Sequence, residues 1–207
     1  MELSEAAKRV LETYPKAVCH LRSQLARQKL MPLFGAGVGK DLGLPNCGEL
    51  VPAIAAHPDV AGGQLDIERT SNTSLTQMLY QHFKLRQRSE FDQSDTVADE
   101  RNCKAKWSSI IHECLYKNSK DAGDHPYLSA FIPIIKRAPL SVNYNFDDYI
   151  EELLDRSRAA EDEPPEVVWE PTVQYRRSQC VIYHLNGFLP KKLERGVSSW
   201  LVFADDS

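Results

Sequence analysis

The chain has 207 residues, of which 42% are hydrophobic, and a formal net charge of −4. This length can bury a full core and favours one domain spanning residues 1–207. The mildly acidic balance lacks the positive field that binding to a nucleic-acid backbone requires. No stretch approaches the ~20 apolar residues of a membrane span, and the charged N-terminus has no signal-peptide core. We therefore expect a cytoplasmic protein that binds neither membranes nor nucleic acid directly.

The five cysteines form no CxxC pair, and their odd number is typical of reduced thiols rather than of a disulfide framework. They are Cys19, Cys47, Cys103, Cys114 and Cys180. The histidines show no metal-ligand spacing such as HExxH. The sequence therefore predicts no metal site and structural roles for all five thiols.

The N-terminal half of the chain is predicted to be mainly helical. Helical periodicity over the first thirty residues is interrupted at Pro15 and predicts two short helices. The apolar run 30–34 ends at glycines and predicts the first buried strand. Helical segments at 74–88 and 99–117 then predict a helical insertion over residues 61–124.

The C-terminal half is predicted to alternate between strands and helices. Strands are expected at 138–142, 181–185 and 200–203, with helices at 126–136 and 146–158. This alternation predicts an α/β, Rossmann-like domain with a mainly parallel sheet and helices on both faces. With only four predicted strands, we expect the domain to be incomplete at its C-terminus and part of a longer protein. Ligands of such sheets bind at the carboxyl ends of the strands.

A glycine turn, GAGV at residues 35–38, follows the first predicted strand. Positions without side chains let backbone N–H groups approach a diphosphate, although a turn without a ligand is an equally good interpretation of these residues alone. An ATP-binding P-loop is excluded because Phe34 and Asp41 stand where its first glycine and its hydroxyl residue would be. The GxGxxG dinucleotide motif fails because Lys40 replaces its last glycine.

The longer segment GAGVGKDLGLP, residues 35–45, resembles the GAGxSxxxGIP motif of the sirtuin superfamily, with matching spacing. In that family the first glycines hold the NAD diphosphate, and the Gly-hydrophobic-Pro element packs near the nicotinamide. The chain departs from the motif at Gly39, where the family usually has serine. The resemblance implies NAD as the substrate. The residues of this segment that it assigns to NAD binding are Gly35, Ala36, Gly37, Val38, Leu44 and Pro45.

A second segment, YNFDDYIE at residues 144–151, resembles the TNYDDLLE signature of bacterial sirtuin-like NAD hydrolases. The amide of Asn145 can donate to and accept from a ribose hydroxyl or an attacking water. Asp147 is assigned to binding the amide group of nicotinamide or to fixing the loop. The alternative is that Asp147 is an acid of the first helical turn, where the helix dipole favours negative charge. For Asp148 this second interpretation is preferred. Asn143 competes with Asn145, but the acidic spacing after Asn145 favours Asn145.

A third segment, YHLNGFLP at residues 183–190, resembles the YHxHGxLP segment of the family. Asn186 replaces the histidine that commonly supplies the general base. His184 lies two residues earlier, on the same face if the strand continues, and its ordinary pKa of about 6.5 suits proton transfer near neutrality. A lone strand histidine is otherwise most often structural. The resemblance assigns His184 to NAD binding and to the general base.

The three motifs occur in family order, and each follows a predicted strand. The two CxxC pairs of the usual sirtuin zinc module are absent from the sequence, which argues against a histone-type deacylase. The resemblance implies a zinc-less NAD hydrolase of bacterial antiphage defence, with Asn145 and His184 as catalytic residues. It also implies a homo-oligomer and control by a C-terminal sensor domain or an associated defence protein. Two alternatives are a non-catalytic module that senses NAD or an ADP-ribose derivative, and an oligomerisation scaffold with a closed pocket.

Overall fold

The computed structural model describes six stretches of the chain: residues 5–60, 71–88, 96–125, 127–170, 180–193 and 201. The described helices are α1 (Glu5–Thr13), α2 (Pro15–Ala26), α3 (Gly37–Lys40), α4 (Cys47–Ala55), α5 (Asn72–Arg88), α6 (Thr96–Tyr116), α7 (Leu128–Ile135) and α8 (Tyr149–Arg156). The described strands are β1 (Leu33–Phe34), β2 (Ser141–Asn143), β3 (Glu166–Val168) and β4 (Val181–His184). None of the helices in these stretches is both long and apolar enough to cross a membrane.

The four described strands form one parallel sheet in the order β1-β2-β4-β3. The register places Phe34 beside Asn143, and Asn143 beside His184. Because β1, β2 and β4 are adjacent and run in one direction, the segments that follow them begin at the same edge of the sheet. The predicted α/β class with a parallel sheet is therefore confirmed.

Three of these elements were not predicted from the sequence: β3, α4 and the short helix α3, which covers residues predicted as part of a turn. Strand β3 has only three residues, too few for the alternation or the apolar run by which a strand is recognised. Helix α4 begins with a capping box, in which Asn46 Oδ1 accepts from the N–H of Glu49 and the Glu49 carboxylate accepts from the N–H of Asn46, both at 3.0 Å. The strand predicted at 200–203 lies outside the described residues apart from Leu201.

The other elements agree with the predictions apart from their ends. The helix predicted at 146–158 begins only at Tyr149, because the three residues before it form a loop. The second strand lies at 141–143 rather than 138–142. Helices α5 and α6 lie within the block predicted to be helical, and they pack against α4 and against each other. Their buried faces supply part of the hydrophobic core.

The turn after α3 fixes the Gly-Leu-Pro segment. Gly43 has a φ of +80°, a conformation that side chains of L-residues rarely adopt. A Cβ at this position would lie 2.3 Å from the carbonyl oxygen of Asn118. The N–H of Lys120 also donates to the carbonyl of Leu42 at 2.9 Å, so the turn is tied to the segment after α6. Only glycine fits this close approach.

We expect Gly43→Ala to lower the free energy of unfolding by at least about 2 kcal/mol, because the left-handed conformation and the overpacking each cost about 1–3 kcal/mol. Urea unfolding monitored by circular dichroism measures this. Gly48→Ala is the matched control: its Cβ would make only an ordinary contact at 3.4 Å, and alanine in a helix gains up to about 1 kcal/mol over glycine. Equal stability of the two variants would contradict the prediction.

Candidate functional site

A cleft of about 400 Å³ lies where the segments following β1, β2 and β4 meet. This volume is within the range of small-molecule sites. Its described wall contains residues from all three sequence motifs: Gly35, Ala36, Gly39, Leu44, Pro45, Tyr144, Asn145, Phe146, Asp147 and Asn186. Helices α4 and α6 complete the described wall with Cys47, Leu50 and Leu115. Three motifs that are far apart in the sequence therefore share one cleft.

Six of the nine predicted NAD-binding residues line this cleft. They are Gly35, Ala36, Leu44, Pro45, Asn145 and Asp147. Gly37, Val38 and His184 are not among the residues of its wall. The carbonyl of Val38 accepts instead from Nε2 of His125 at 2.9 Å, and Nδ1 of that buried ring accepts from the N–H of Leu128 at 2.8 Å. His125 thus connects the glycine turn to the start of α7, and the amino-acid sequence gave no indication of this role.

Asn145 is held at three points. Its backbone N–H donates to Oδ1 of Asn143 at 3.0 Å, and its carbonyl oxygen lies 2.9 Å from Nδ1 of His184. Its side-chain Nδ2 donates to the carbonyl of Gly35 at 3.0 Å. The amide oxygen Oδ1 has no hydrogen-bond partner within the described part of the chain. Asn145 therefore lies in the wall with one polar atom available to a ligand, and Asn143 supports it from the core.

His184 is completely buried, and both of its ring nitrogens are engaged. Nδ1 faces the carbonyl of Asn145, and Nε2 lies 2.7 Å from Oε1 of Glu151. A carbonyl oxygen can only accept, so Nδ1 carries a proton, and Nε2 shares its hydrogen bond with Glu151. Neither nitrogen is available to a ligand in the cleft. The general-base role predicted for His184 does not fit this arrangement.

The end of β4 explains this difference. The strand ends at His184, and the chain turns at the next two residues. Asn186 consequently does not continue the strand face of His184: it lines the cleft and donates from Nδ2 to the carbonyl of Tyr144 at 2.9 Å. The cleft wall thus has an amide where the sirtuin motif has an imidazole.

The partner of His184, Glu151, is also completely buried. Burial lowers the pKa of His184, but the charge and the hydrogen bond of Glu151 outweigh it and raise that pKa above its ordinary value. The second carboxylate oxygen, Oε2 of Glu151, has no hydrogen-bond partner among the described residues. The sequence did carry a signal for this glutamate, because the motif at residues 144–151 ends at Glu151 and does not include its neighbour Glu152.

Asp147 is the one carboxylate in the described wall of the cleft, and only 5% of its surface is exposed. Its Oδ1 accepts from the N–H of Tyr149 at 3.2 Å. Burial raises the pKa of Asp147 to about 7, and the charge of Glu151 acts in the same direction. Asp148 is also buried but accepts from the N–H of Lys191 at 2.9 Å, away from the cleft wall.

Comparison of the chain with protein-family models and with curated proteins finds no match. Across the described stretches, no three or more His, Cys, Asp and Glu side chains are grouped so that they could hold a metal ion. The functional assignment therefore depends on the geometry of the cleft and on the sequence motifs that form it.

We expect His184→Ala to lower the free energy of unfolding by about 3–5 kcal/mol, because the substitution leaves the carboxylate of Glu151 buried without its partner. Urea unfolding at pH 7 measures the loss. His82→Ala, at an exposed histidine of α5, is the control and should change stability by no more than about 0.5 kcal/mol. A loss no larger than that of the control would show that the buried pair of His184 and Glu151 contributes nothing to the stability of the fold.

Asp147→Asn is expected to stabilise the protein, and more so as the pH rises. The folded-state pKa of about 7 exceeds the ordinary value of 3.8, so the folded chain binds the proton more tightly than the unfolded chain. Ionisation therefore costs nothing well below pH 4 and up to about 4 kcal/mol above pH 7. Unfolding at pH 4 and pH 8 should show a gain only at pH 8. A destabilised variant at pH 8 would contradict this sign.

Proposed function

We propose that this chain binds NAD in the cleft and hydrolyses the bond between nicotinamide and ribose. One observation carries the proposal: Nδ2 of Asn145 donates to the carbonyl of Gly35 at 3.0 Å, across 110 residues of sequence. This hydrogen bond joins the Asn-Phe-Asp element to the glycine turn. These are the two segments that the resemblance to sirtuins assigns to the ribose and to the diphosphate.

The residues of the cleft fit a dinucleotide. A Cβ added at Gly35 or Gly37 would meet no atom within 4 Å, so the space above this turn is open to a diphosphate. Apolar side chains suited to a planar ring form much of the described wall: Leu44, Pro45, Leu50, Leu115 and Phe146. Asp147 adds a carboxylate to this wall, and a carboxylate attracts the positive charge of the nicotinamide ring of NAD.

The proposed reaction needs positioning more than covalent chemistry. The C–N bond between ribose and nicotinamide breaks with its electron pair going to nicotinamide, and water adds to the ribose carbon to give ADP-ribose and a proton. Asn145 can accept a hydrogen bond from a ribose hydroxyl or from the water through its available Oδ1. His184 acts as a positioning residue, because it holds the carbonyl of Asn145 rather than the substrate.

The biological setting follows from the resemblance alone. We propose that NAD depletion by this chain is the toxic step of a bacterial antiphage defence system. Such an activity requires restraint, and the resemblance implies that homo-oligomerisation and a C-terminal sensor domain or an associated defence protein provide it. No metal takes part in the proposed reaction.

One observation favours a second function. No imidazole is among the described residues of the wall, and Asn186 stands where the sirtuin motif has histidine. A non-catalytic module that senses NAD or an ADP-ribose derivative would use the same cleft without this base. Calorimetry separates the two functions, because a sensor binds NAD tightly and releases no nicotinamide.

We expect the complete chain to release nicotinamide from NAD and Asn145→Ala to reduce the rate at least about 100-fold, because the variant loses both the contact to the ligand and the bond to Gly35. Chromatography of nicotinamide and ADP-ribose measures the products. Asn102→Ala, at an exposed asparagine of α6, is the control and should keep the wild-type rate. Equal rates for the two variants would reject the site, and NAD binding without product would select the sensor.

A further inference from the structure

The cleft has a proton acceptor other than the histidine that the sequence suggested. Three titratable side chains line its described wall: Cys47, Tyr144 and Asp147. Among these, only Asp147 is a carboxylic acid, and the imidazole of His184 is closed off below the wall. Asp147 is therefore the side chain of the described wall best suited to accept a proton that is released in this cleft.

The carboxyl group of Asp147 is oriented by its neighbours. Oδ1 accepts from the N–H of Tyr149 at 3.2 Å, which anchors one of the two carboxylate oxygens. Oδ2 has no hydrogen-bond partner among the described residues, and it is not one of the unpartnered polar atoms sealed inside the described core. One oxygen thus holds the loop, and the other is left for a ligand.

The titratable groups around Asp147 come from three elements. Asp148 and Glu151 lie at the start of α8, His184 lies at the end of β4, and Tyr116 lies at the end of α6. The pKa of Asp147 is raised to about 7: burial is the largest influence, the charges of Glu151 and Asp148 act in the same direction, and the N–H of Tyr149 and the charge of His184 oppose them. A group with this pKa is suited to proton transfer near neutrality.

A purely structural role does not require a carboxylate at this position. Asparagine at 147 could accept the same hydrogen bond from Tyr149 without the cost of burying a negative charge. Groups that destabilise a fold in this way are found at functional sites. The carboxylate is therefore better explained by what it does in the cleft than by the loop that it holds.

We propose, on the basis of the NAD hydrolysis proposed above, that Asp147 is the catalytic residue that takes the proton of the attacking water. As the C–N bond breaks and its electron pair leaves with nicotinamide, the water oxygen bonds to the ribose carbon. The proton of that water passes to Oδ2 of Asp147 and then to solvent. Asn145 orients the water, and His184 and Glu151 hold Asn145.

The test compares Asp147→Asn with Asp148→Asn in the complete chain between pH 5.5 and 9. The first variant keeps the acceptor for Tyr149 but cannot take a proton, and we expect kcat to fall by about 10²–10⁴ while the Kd for NAD changes less than about tenfold. In the wild type, kcat/KM should fall below about pH 7, and this acidic limb should be absent from the variant. Asp148→Asn should keep the acidic limb but shift it to lower pH, because the charge of Asp148 raises the pKa of Asp147, and its rate at pH 8 should stay near that of the wild type.

The outcomes separate this inference from the proposed function. Nicotinamide release by Asp147→Asn at the wild-type rate, with the acidic limb intact, overturns the role of Asp147 and leaves NAD hydrolysis standing. NAD binding without nicotinamide release by the wild type at every pH overturns hydrolysis itself. If Asp147→Asn does not fold, Asp147→Glu is the variant that tests the role of Asp147. It should hydrolyse NAD more slowly than the wild type and keep the acidic limb of its pH profile. Loss of that limb in Asp147→Glu rejects the proposal.

Discussion

The hydrogen bond from Nδ1 of His184 to the carbonyl of Asn145 joins the buried core to the wall of the cleft. The imidazole is in turn fixed by Glu151, so one buried pair connects β4, α8 and the loop after β2. Taking two charged groups out of water is costly, and their mutual attraction offsets that cost only when the geometry is good. Because Asn145 also donates to Gly35, this pair helps to position the loop after β2 against the glycine turn.

Three buried acids lie on the short segment that supplies the partner of this imidazole. Asp147, Asp148 and Glu151 are all buried, and the charges of Asp148 and Glu151 both disfavour the ionisation of Asp147. The position of each partner decides the outcome: Glu151 is nearest to His184 and pairs with it, and Asp148 binds the N–H of Lys191. Asp147 is left at the cleft with a raised pKa. Which acid lines the cleft thus follows from how the core satisfies the other two.

Periodicity in the sequence predicted the long helices and the parallel sheet, because those elements bury regular faces. Helix α4 had a usable signal that was not recognised, the pair Asn46 and Glu49 before an apolar run. The motifs located the cleft, but they could not give the role of His184, which depends on β4 ending at that residue and on α8 packing beneath it. Side-chain burial at the end of a strand is a property of tertiary packing, and one sequence does not show it.

The departures from the sirtuin motifs are easier to understand as changes in one cleft than as separate losses. A side chain at Gly39 would lie 2.9 Å from Cδ1 of Leu44, so Leu44 already fills the space that a serine there would need. Asn186 is likewise engaged, because it donates to the carbonyl of Tyr144 within the cleft wall. With the serine hydroxyl and the second histidine both absent, the polar side chains of the described wall are Cys47, Tyr144, Asn145, Asp147 and Asn186. Hydrolysis in such a cleft would depend on positioned dipoles and one carboxylate, since the remaining imidazole is committed to holding Asn145.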